Sequence, residues 1–305
     1  MSTAASSLAD YYSQAFSRNI GLVTPAEQER LRHVCVAIPG MGGMGGVAAA
    51  TLARTGIGRF RIADADVFEV VNMNRQYGAT VHTLRQNKAE VMAEIIRTIN
   101  PEADVTVFTE PIGKHNVDEF LAGADVVQDA LDYFALEARR LICSRARDRG
   151  LYVVSAGPLG FSGVLLVFSP TGMSFEEYYD LRDGLSLEEQ LIAFAVGTAP
   201  AGIHLRYMDP KSVDFQRGYG PSLGLACQIA SGMAAAEIVK ILLGRGPVRP
   251  VPYFSQFDAY TMQYQRGRLW WGNRHPLQRL KRWYVKRFLL KGARLRSRPA
   301  PQGGS

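Results

Sequence analysis

Three groups of side chains in the first half of this chain are of the types that hold and cleave phosphate bonds. "GMGGMG" satisfies G-x-G-x-x-G, and Gly40, Gly42, Gly43 and Gly45 supply a backbone that can approach an anion closely. Asp64 follows 19 residues after Gly45, the spacing of an acid that accepts hydrogen bonds from ribose hydroxyls. "DADVFEVVNMNRQ" then adds Asn72, Asn74, Arg75 and Gln76, and "RQNKAEVM" adds Lys88. A nicotinamide enzyme needs the glycine loop and the acid but has no use for the polar cluster at 72–76. Triphosphate chemistry has such a use, because displacement at phosphorus builds charge on oxygen that fixed cations stabilise. Arg75 and Lys88 are the candidate cations. "DVVQDALDYF" supplies Asp129 and Asp132 at the end of a strand. Mg²⁺ takes one or two carboxylates beside phosphate oxygens and water, and Asp132 is the candidate. The alternative for either aspartate is a helix cap.

Strands and helices must alternate to bring these groups to one edge. Thr24-Pro25-Ala26-Glu27 reads as a capped helix start. The spacing predicts strands over 33–38, 59–63, 105–108, 125–130 and 151–156, with helices over 46–55, 84–99 and 135–149 between them. This is an α/β pattern, a Rossmann-like and mostly parallel sheet flanked by helices. After Pro158 the pattern changes to a mixed-strand half. It has a strand over 164–168, a helix over 187–196, an irregular stretch over 197–220 that would cross the active site, and a long helix over 222–243. Gly232 in that helix predicts close packing against a neighbour. A final strand region covers 253–265. The expected units are one domain over 1–264, with an arm over 1–32, a nucleotide-binding half over 33–157 and a substrate half over 158–264, and a separate basic tail over 265–305.

Composition narrows the class. The chain has 305 residues, 47% hydrophobic and 21% charged, as expected of a globular core. Cys35, Cys143 and Cys227 form no CxxC pair, so neither a disulfide framework nor a paired-cysteine zinc site is expected. With no basic-then-apolar leader pattern at the start, a cytoplasmic setting is expected. Glu237 and Lys240 interrupt the apolar run 223–243, which therefore reads as a buried helix. Charge is concentrated at one end: residues 266–305 hold twelve of the 35 Lys and Arg and no acid, leaving 23 basic against 28 acidic residues elsewhere.

The order GxGGxG, D-x-D-x-V-x-x-x-N-x-N-R-Q, a lysine twelve residues after the glutamine, and a later acid pair resembles the ThiF/MoeB/HesA adenylyltransferases, relatives of the ubiquitin-activating enzymes. The resemblance runs from about Phe16 to Gln263 and includes "GPSLGLACQIASGMAAAEIVKILLG". It implies ATP and Mg²⁺ as cofactors, with Gly40, Gly42 and Gly45 lining phosphates and Asp64 holding the ribose. It also implies that Asn72, Arg75 and Gln76 contact the nucleotide, Lys88 neutralises phosphate and Asp132 binds Mg²⁺. "FSRNI" implies that Arg18 reaches a partner subunit's ATP, hence a homodimer. The implied reaction is attack of a carboxylate on the α-phosphate, giving an acyl-adenylate and pyrophosphate.

The family's two CxxC zinc pairs are absent, so no structural zinc is expected. The cysteines read as packing residues, and Cys227 alone is worth testing as a thioester thiol. The expected substrate is the C-terminal carboxylate of a small ubiquitin-like or sulfur-carrier protein or a peptide. A tRNA-modifying enzyme that activates threonylcarbamoyl-adenosine and a non-catalytic nucleotide-binding module are the alternatives.

Three readings of the tail are open. Leu277, Leu280, Tyr284 and Phe288 follow helical spacing among basic residues. The segment suits an anionic membrane surface, contact with tRNA, or a helix docked on the protein with a solvated basic face before a disordered end.

Overall fold

The computed structural model describes residues 11–209, 212–213 and 220–289, with side chains through Arg287. The expectations for 1–10 and for the end of the tail, 290–305, lie outside the described residues.

One eight-stranded sheet organises the chain, in the order β3-β2-β1-β4-β5-β6-β7-β8. The strands are β1 (Cys35–Pro39), β2 (Arg59–Ala63), β3 (Asp104–Phe108), β4 (Val126–Asp129), β5 (Tyr152–Leu159), β6 (Ser162–Phe168), β7 (Tyr253–Asp258) and β8 (Gln263–Arg268). β1 to β5 pair in parallel, and from β5 to β8 every pairing is antiparallel. The expected final strand region is thus two strands joined by a turn. The expected boundary at 264/265 falls inside β8, whose residues 263–268 pair along β7. No unit can therefore be cut there without splitting a ladder.

Helices cover both faces. The helices α1 (Tyr11–Ala15), α2 (Pro25–His33), α3 (Gly43–Thr55), α4 (Lys88–Ile99) and α5 (Val117–Phe120) come first. Then follow α6 (Leu136–Asp148), α7 (Phe175–Tyr179), α8 (Leu187–Thr198), α9 (Gly224–Leu243) and α10 (Pro276–Tyr284). Leu31, Leu52, Met92, Ile96, Ala234 and Ile238 join Val36, Ile38 and Val154 in one core. Phe120, Ile142, Tyr178, Tyr179 and Phe194 pack with Val127, Leu166 and Phe168 in the other. Neighbouring strand residues point to opposite faces, so β1 and β4 serve both cores.

α9 is long and apolar enough to cross a bilayer, and its buried Ala230, Ala234, Ala235, Ile238, Leu242 and Leu243 belong to the first core beside α3. Gly232 does not mark the close approach: a Cβ there meets nothing within 4 Å. The tight contact lies at Gly163 of β6, where a Cβ would stand 3.0 Å from Ala230 Cα.

Candidate nucleotide site

β1 lies between β2 and β4, so the chain leaves β1 toward one side of the sheet and returns to β4 on the other. The carboxyl ends of β1 and β4 therefore flank a crevice, the place where open α/β sheets bind ligands. Gly40 leaves β1 and donates its N–H to Ala63 O at 2.6 Å. Its φ is +94°, and a Cβ would stand 2.5 Å from Ala130 O, so both conformation and contact demand glycine. A Cβ on Gly45 would overlap Gly40 O. These two glycines shape the turn. Gly42 has room, with Gln76 Nε2 3.6 Å from its Cβ position.

α3 begins at Gly43, three residues before the expected start, with Gly42 as an N-cap that lends no side chain. Among the described residues no side chain accepts the N–H groups of Gly43, Met44 or Gly45, and the helix's positive end faces the crevice, an arrangement suited to an anion. We expect Gly45→Ala to lose most of its folded stability. Gly42→Ala is expected to melt like the wild type and bind ATP at least about tenfold more weakly. Calorimetric melts and titration with ATP check the pair, and equal stability of the two variants would contradict it.

The acidic residues take different roles. Asp64 accepts the Met41 N–H at 2.7 Å and the Asp66 N–H at 2.9 Å, one on each oxygen. Burial pushes its carboxyl up, and the two N–H donors and nearby Lys88 oppose this. A carboxylate has about four acceptor positions, so two remain for hydroxyl donors. Asp129 is buried and faces inward: Oδ2 accepts Arg139 Nε and Ser155 Oγ, both at 2.8 Å. Arg139 also donates to Leu131 O at 2.7 Å and Asp132 O at 3.2 Å. The pair thus sets the 130–132 loop against Gly40. Asp132 is exposed and accepts the Phe134 N–H at 2.9 Å, a turn leading into α6. It lies one residue beyond Leu131, which abuts Gly40. Among the described residues no three His, Cys, Asp or Glu side chains form a ready metal cage.

Arg75 reaches the loop from the long β2–α4 connection, and Lys88 stands where that connection ends, beside Asp64 and Asp66. Arg75 lays its stem over Gly43, its Cγ 3.6 Å from that residue's Cβ position. Its guanidinium donates to Val71 O and Asn74 Oδ1, each at 2.9 Å, and makes no salt bridge within 4.0 Å among the described residues. Lys88 opens α4 behind the cap Asn87, whose Nδ2 donates to Asp64 O at 3.0 Å. Its buried stem brings Nζ within 3.2 Å of the exposed Asp66 carboxylate. The helix expected over 84–99 starts at Lys88 because Asn87 caps it and Arg85 takes φ +66°.

Asn72 and Gln76 are buried; Asn72 Oδ1 accepts the Glu69 N–H at 2.9 Å. Gln76 turns its Nε2 donor toward Gly42, and its buried Oε1 has no partner among the described residues. A phosphate group fits this set: an open helix end, a cation not paired with a carboxylate, and the amide Nε2 donor of Gln76 beside Gly42. The phosphate-facing parts of ATP would lie against Gly42, Gly43, Arg75 and Lys88.

Cys227 is buried beside the same loop. Its Sγ stands 2.9 Å from the Gly43 Cβ position, and burial pushes the thiol up. Its protonated state is favoured, as for a packing residue rather than an attacking thiolate. Cys35 is pushed up to about 11 by burial as well. Arg18 does not join the site of its own chain. It lies exposed between Phe16, which packs at Gly56, and Asn19, which donates to Thr55 O. That is the far end of α3, roughly 18 Å from Gly43 at helical rise.

The sequence reading missed Arg139, Ser155 and the bond from Asn74 Nδ2 to Ser222 O at 2.9 Å, which joins the cation loop to the start of α9. An arginine in the first turn of a helix is an unusual place for a cation, given the dipole, and was the available signal for Arg139.

A doubly wound sheet with an open helix end at its switch point and an arginine lying over the glycine loop defines a nucleotide-binding α/β protein. The chain belongs to the ThiF family, whose model matches residues 16–279. It is 35% identical over 150 residues to tRNA threonylcarbamoyladenosine dehydratase of Haemophilus influenzae, covering 48% of this chain and 58% of that protein. It is 25% identical over 239 residues to a probable molybdopterin-synthase adenylyltransferase of Porphyra purpurea, covering 78% and 56%. The chain thus spans about half the length of the curated relatives it matches. Among solved structures, Escherichia coli MccB with MccA-N7isoASN superposes with TM-score 0.65 at 18% identity, over 83% of this chain and 71% of that one. The tRNA N6-threonylcarbamoyladenosine dehydratase of the same organism superposes with TM-score 0.58 at 24% identity, over 77% and 96%. These likenesses show the fold.

Proposed function

We propose that this chain adenylates a carboxylate: the substrate oxygen attacks the α-phosphorus of ATP, the bond to the bridging oxygen breaks, and pyrophosphate leaves. The observation that supports this most is Arg75 laid over the first turn of α3, a cation free of any carboxylate among the described residues where the leaving diphosphate would gain charge, with Lys88 close by at Asp64 and Asp66. A substrate carboxylate is already ionised at neutral pH, so alignment and charge stabilisation are the demands on the protein. Mg²⁺, held by Asp132 with phosphate oxygens and water, would add charge at the same place.

Two carboxylates suit the reading. One is the C-terminus of a small carrier protein or peptide. The other is the threonylcarbamoyl group of tRNA-borne adenosine, favoured by relatives with that name at 35% and 41% identity. ATP–pyrophosphate exchange with each offered separately tests both. Exchange is expected to rise at least about tenfold with the true substrate. Absence of exchange and of ATP binding would refute adenylation altogether.

A homodimer belongs to this proposal. Val70, Val71 and Val81 are exposed in the connection that carries Arg75, an apolar patch suited to a second copy. Arg18, too far to serve its own chain, would then act across the interface.

A further inference from the structure

The helix α10 docks in an unexpected orientation. A basic amphipathic helix held on a protein by its apolar side would show its cations to solvent. Here the inward contacts are polar. Gln278 is buried and donates to Val196 O at 3.2 Å, Arg282 pairs with buried Asp180 at 3.0 Å, and Lys281 donates to Pro200 O at 2.8 Å. Lys286, just beyond the helix, pairs with Glu189 at 2.8 Å. These bonds fix the helix on α8 and on the end of α7.

The opposite side carries the apolar residues. Leu277, Leu280, Trp283 and Tyr284 are 61%, 59%, 57% and 52% exposed. At 100° per residue they fall in one arc of about 120°, bordered by Arg279 on one side and, on the other, by Lys281, whose ammonium turns inward to Pro200 O. Trp271, 65% exposed, stacks on His275 at the helix start. The stripe lies within the segment that holds twelve cations and no acid.

We propose that the outer face of α10 is a docking surface for an anionic lipid bilayer. Leu277, Leu280, Trp283 and Tyr284 enter the boundary between headgroups and acyl chains. Arg279, on the border opposite Lys281, extends along the interface to lipid phosphates. Tryptophan and tyrosine favour that boundary, where an apolar ring and a polar edge are both satisfied. A second copy of this face fits poorly, because a two-fold contact would set the same cations against each other. RNA would match the cations but offers nothing to two exposed leucines. The polar inner contacts hold the helix flat on the protein, so the stripe is presented without unfolding.

The test uses the full chain and sedimentation with phosphatidylcholine vesicles, with and without phosphatidylglycerol. Strong binding is expected only to vesicles with the anionic lipid. The double variant Leu277→Ser, Leu280→Ser keeps every cation and is expected to melt like the wild type, since both side chains face outward. Its partitioning is expected to fall at least about tenfold. Undiminished sedimentation of that variant would overturn the proposal, showing that charge alone holds the surface. A lipid-free dimer that the same substitutions dissociate would also overturn it, assigning the stripe to a second copy.

Discussion

Replacing Arg75 by alanine is expected to lower ATP–pyrophosphate exchange by about 10²- to 10³-fold, the range for removing one preorganised donor of transition-state charge. The guanidinium is held in place by Val71 O and Asn74 Oδ1, neutral acceptors that leave its charge uncompensated. Its stem covers Gly43, where the first N–H groups of α3 emerge. The loss should fall on the rate of exchange at saturating ATP more than on ATP affinity, because the charge that Arg75 meets grows during displacement. Arg75→Lys should recover part of the rate, since a point charge replaces a planar fork. The melting temperature should stay near that of the wild type, as the side chain is only half-buried. Saturation kinetics with the cognate carboxylate provide the measurement. A wild-type rate in Arg75→Ala would remove this residue from the chemistry.

The second large effect concerns folding rather than turnover. Asp129→Ala leaves the Arg139 guanidinium buried without its carboxylate, and breaking such a pair costs about 3–5 kcal/mol. Both side chains are 5% exposed or less, so solvent screening offers little relief. The remaining bonds of Arg139, to Leu131 O and Asp132 O, would then carry a lone charge beside the Phe194 ring, whose centre lies 4.6 Å away. Urea denaturation should show the midpoint falling at nearly constant slope. Replacing the whole pair, with Asp129→Leu and Arg139→Met together, should restore much of the loss, because apolar residues need no partner. A double variant less stable than Asp129→Ala would contradict this account. Because the pair holds the 130–132 loop against Gly40, the single variant should also bind ATP more weakly at temperatures where it remains folded.

Much of the geometry of the candidate site was legible before any coordinates. Glycine needs no partner to reveal a tight turn, and Gly40 and Gly45 occupy positions that no side chain could enter. Asp64, Arg75 and Lys88 are close to the glycines in sequence, one or two elements away, and a βαβ connection leaves few ways to place them. The short parallel strands and the capped helix at Thr24 were read in the same way, from local pattern. The capping of α4 at Asn87 was missed because an apolar residue at 84 extended the helical spacing past the cap. The pairing of Asp129 with Arg139 was hidden because ten residues separate them, and no periodicity links a strand end to the next helix.

The sequence by itself determined the glycine turn, the alternation of strand and helix, and the concentration of cations in the last forty residues. Each is a local property: a backbone angle, a side-chain period, a count of charge. The tertiary structure alone decided which of two aspartates faces inward, that Arg18 lies at the wrong end of α3 for its own site, and that α10 turns its polar side to the protein. Those outcomes depend on burial and pairing between distant segments. A charge is stable in the interior only when a partner arrives from elsewhere in the chain, and the identity of that partner is a matter of packing.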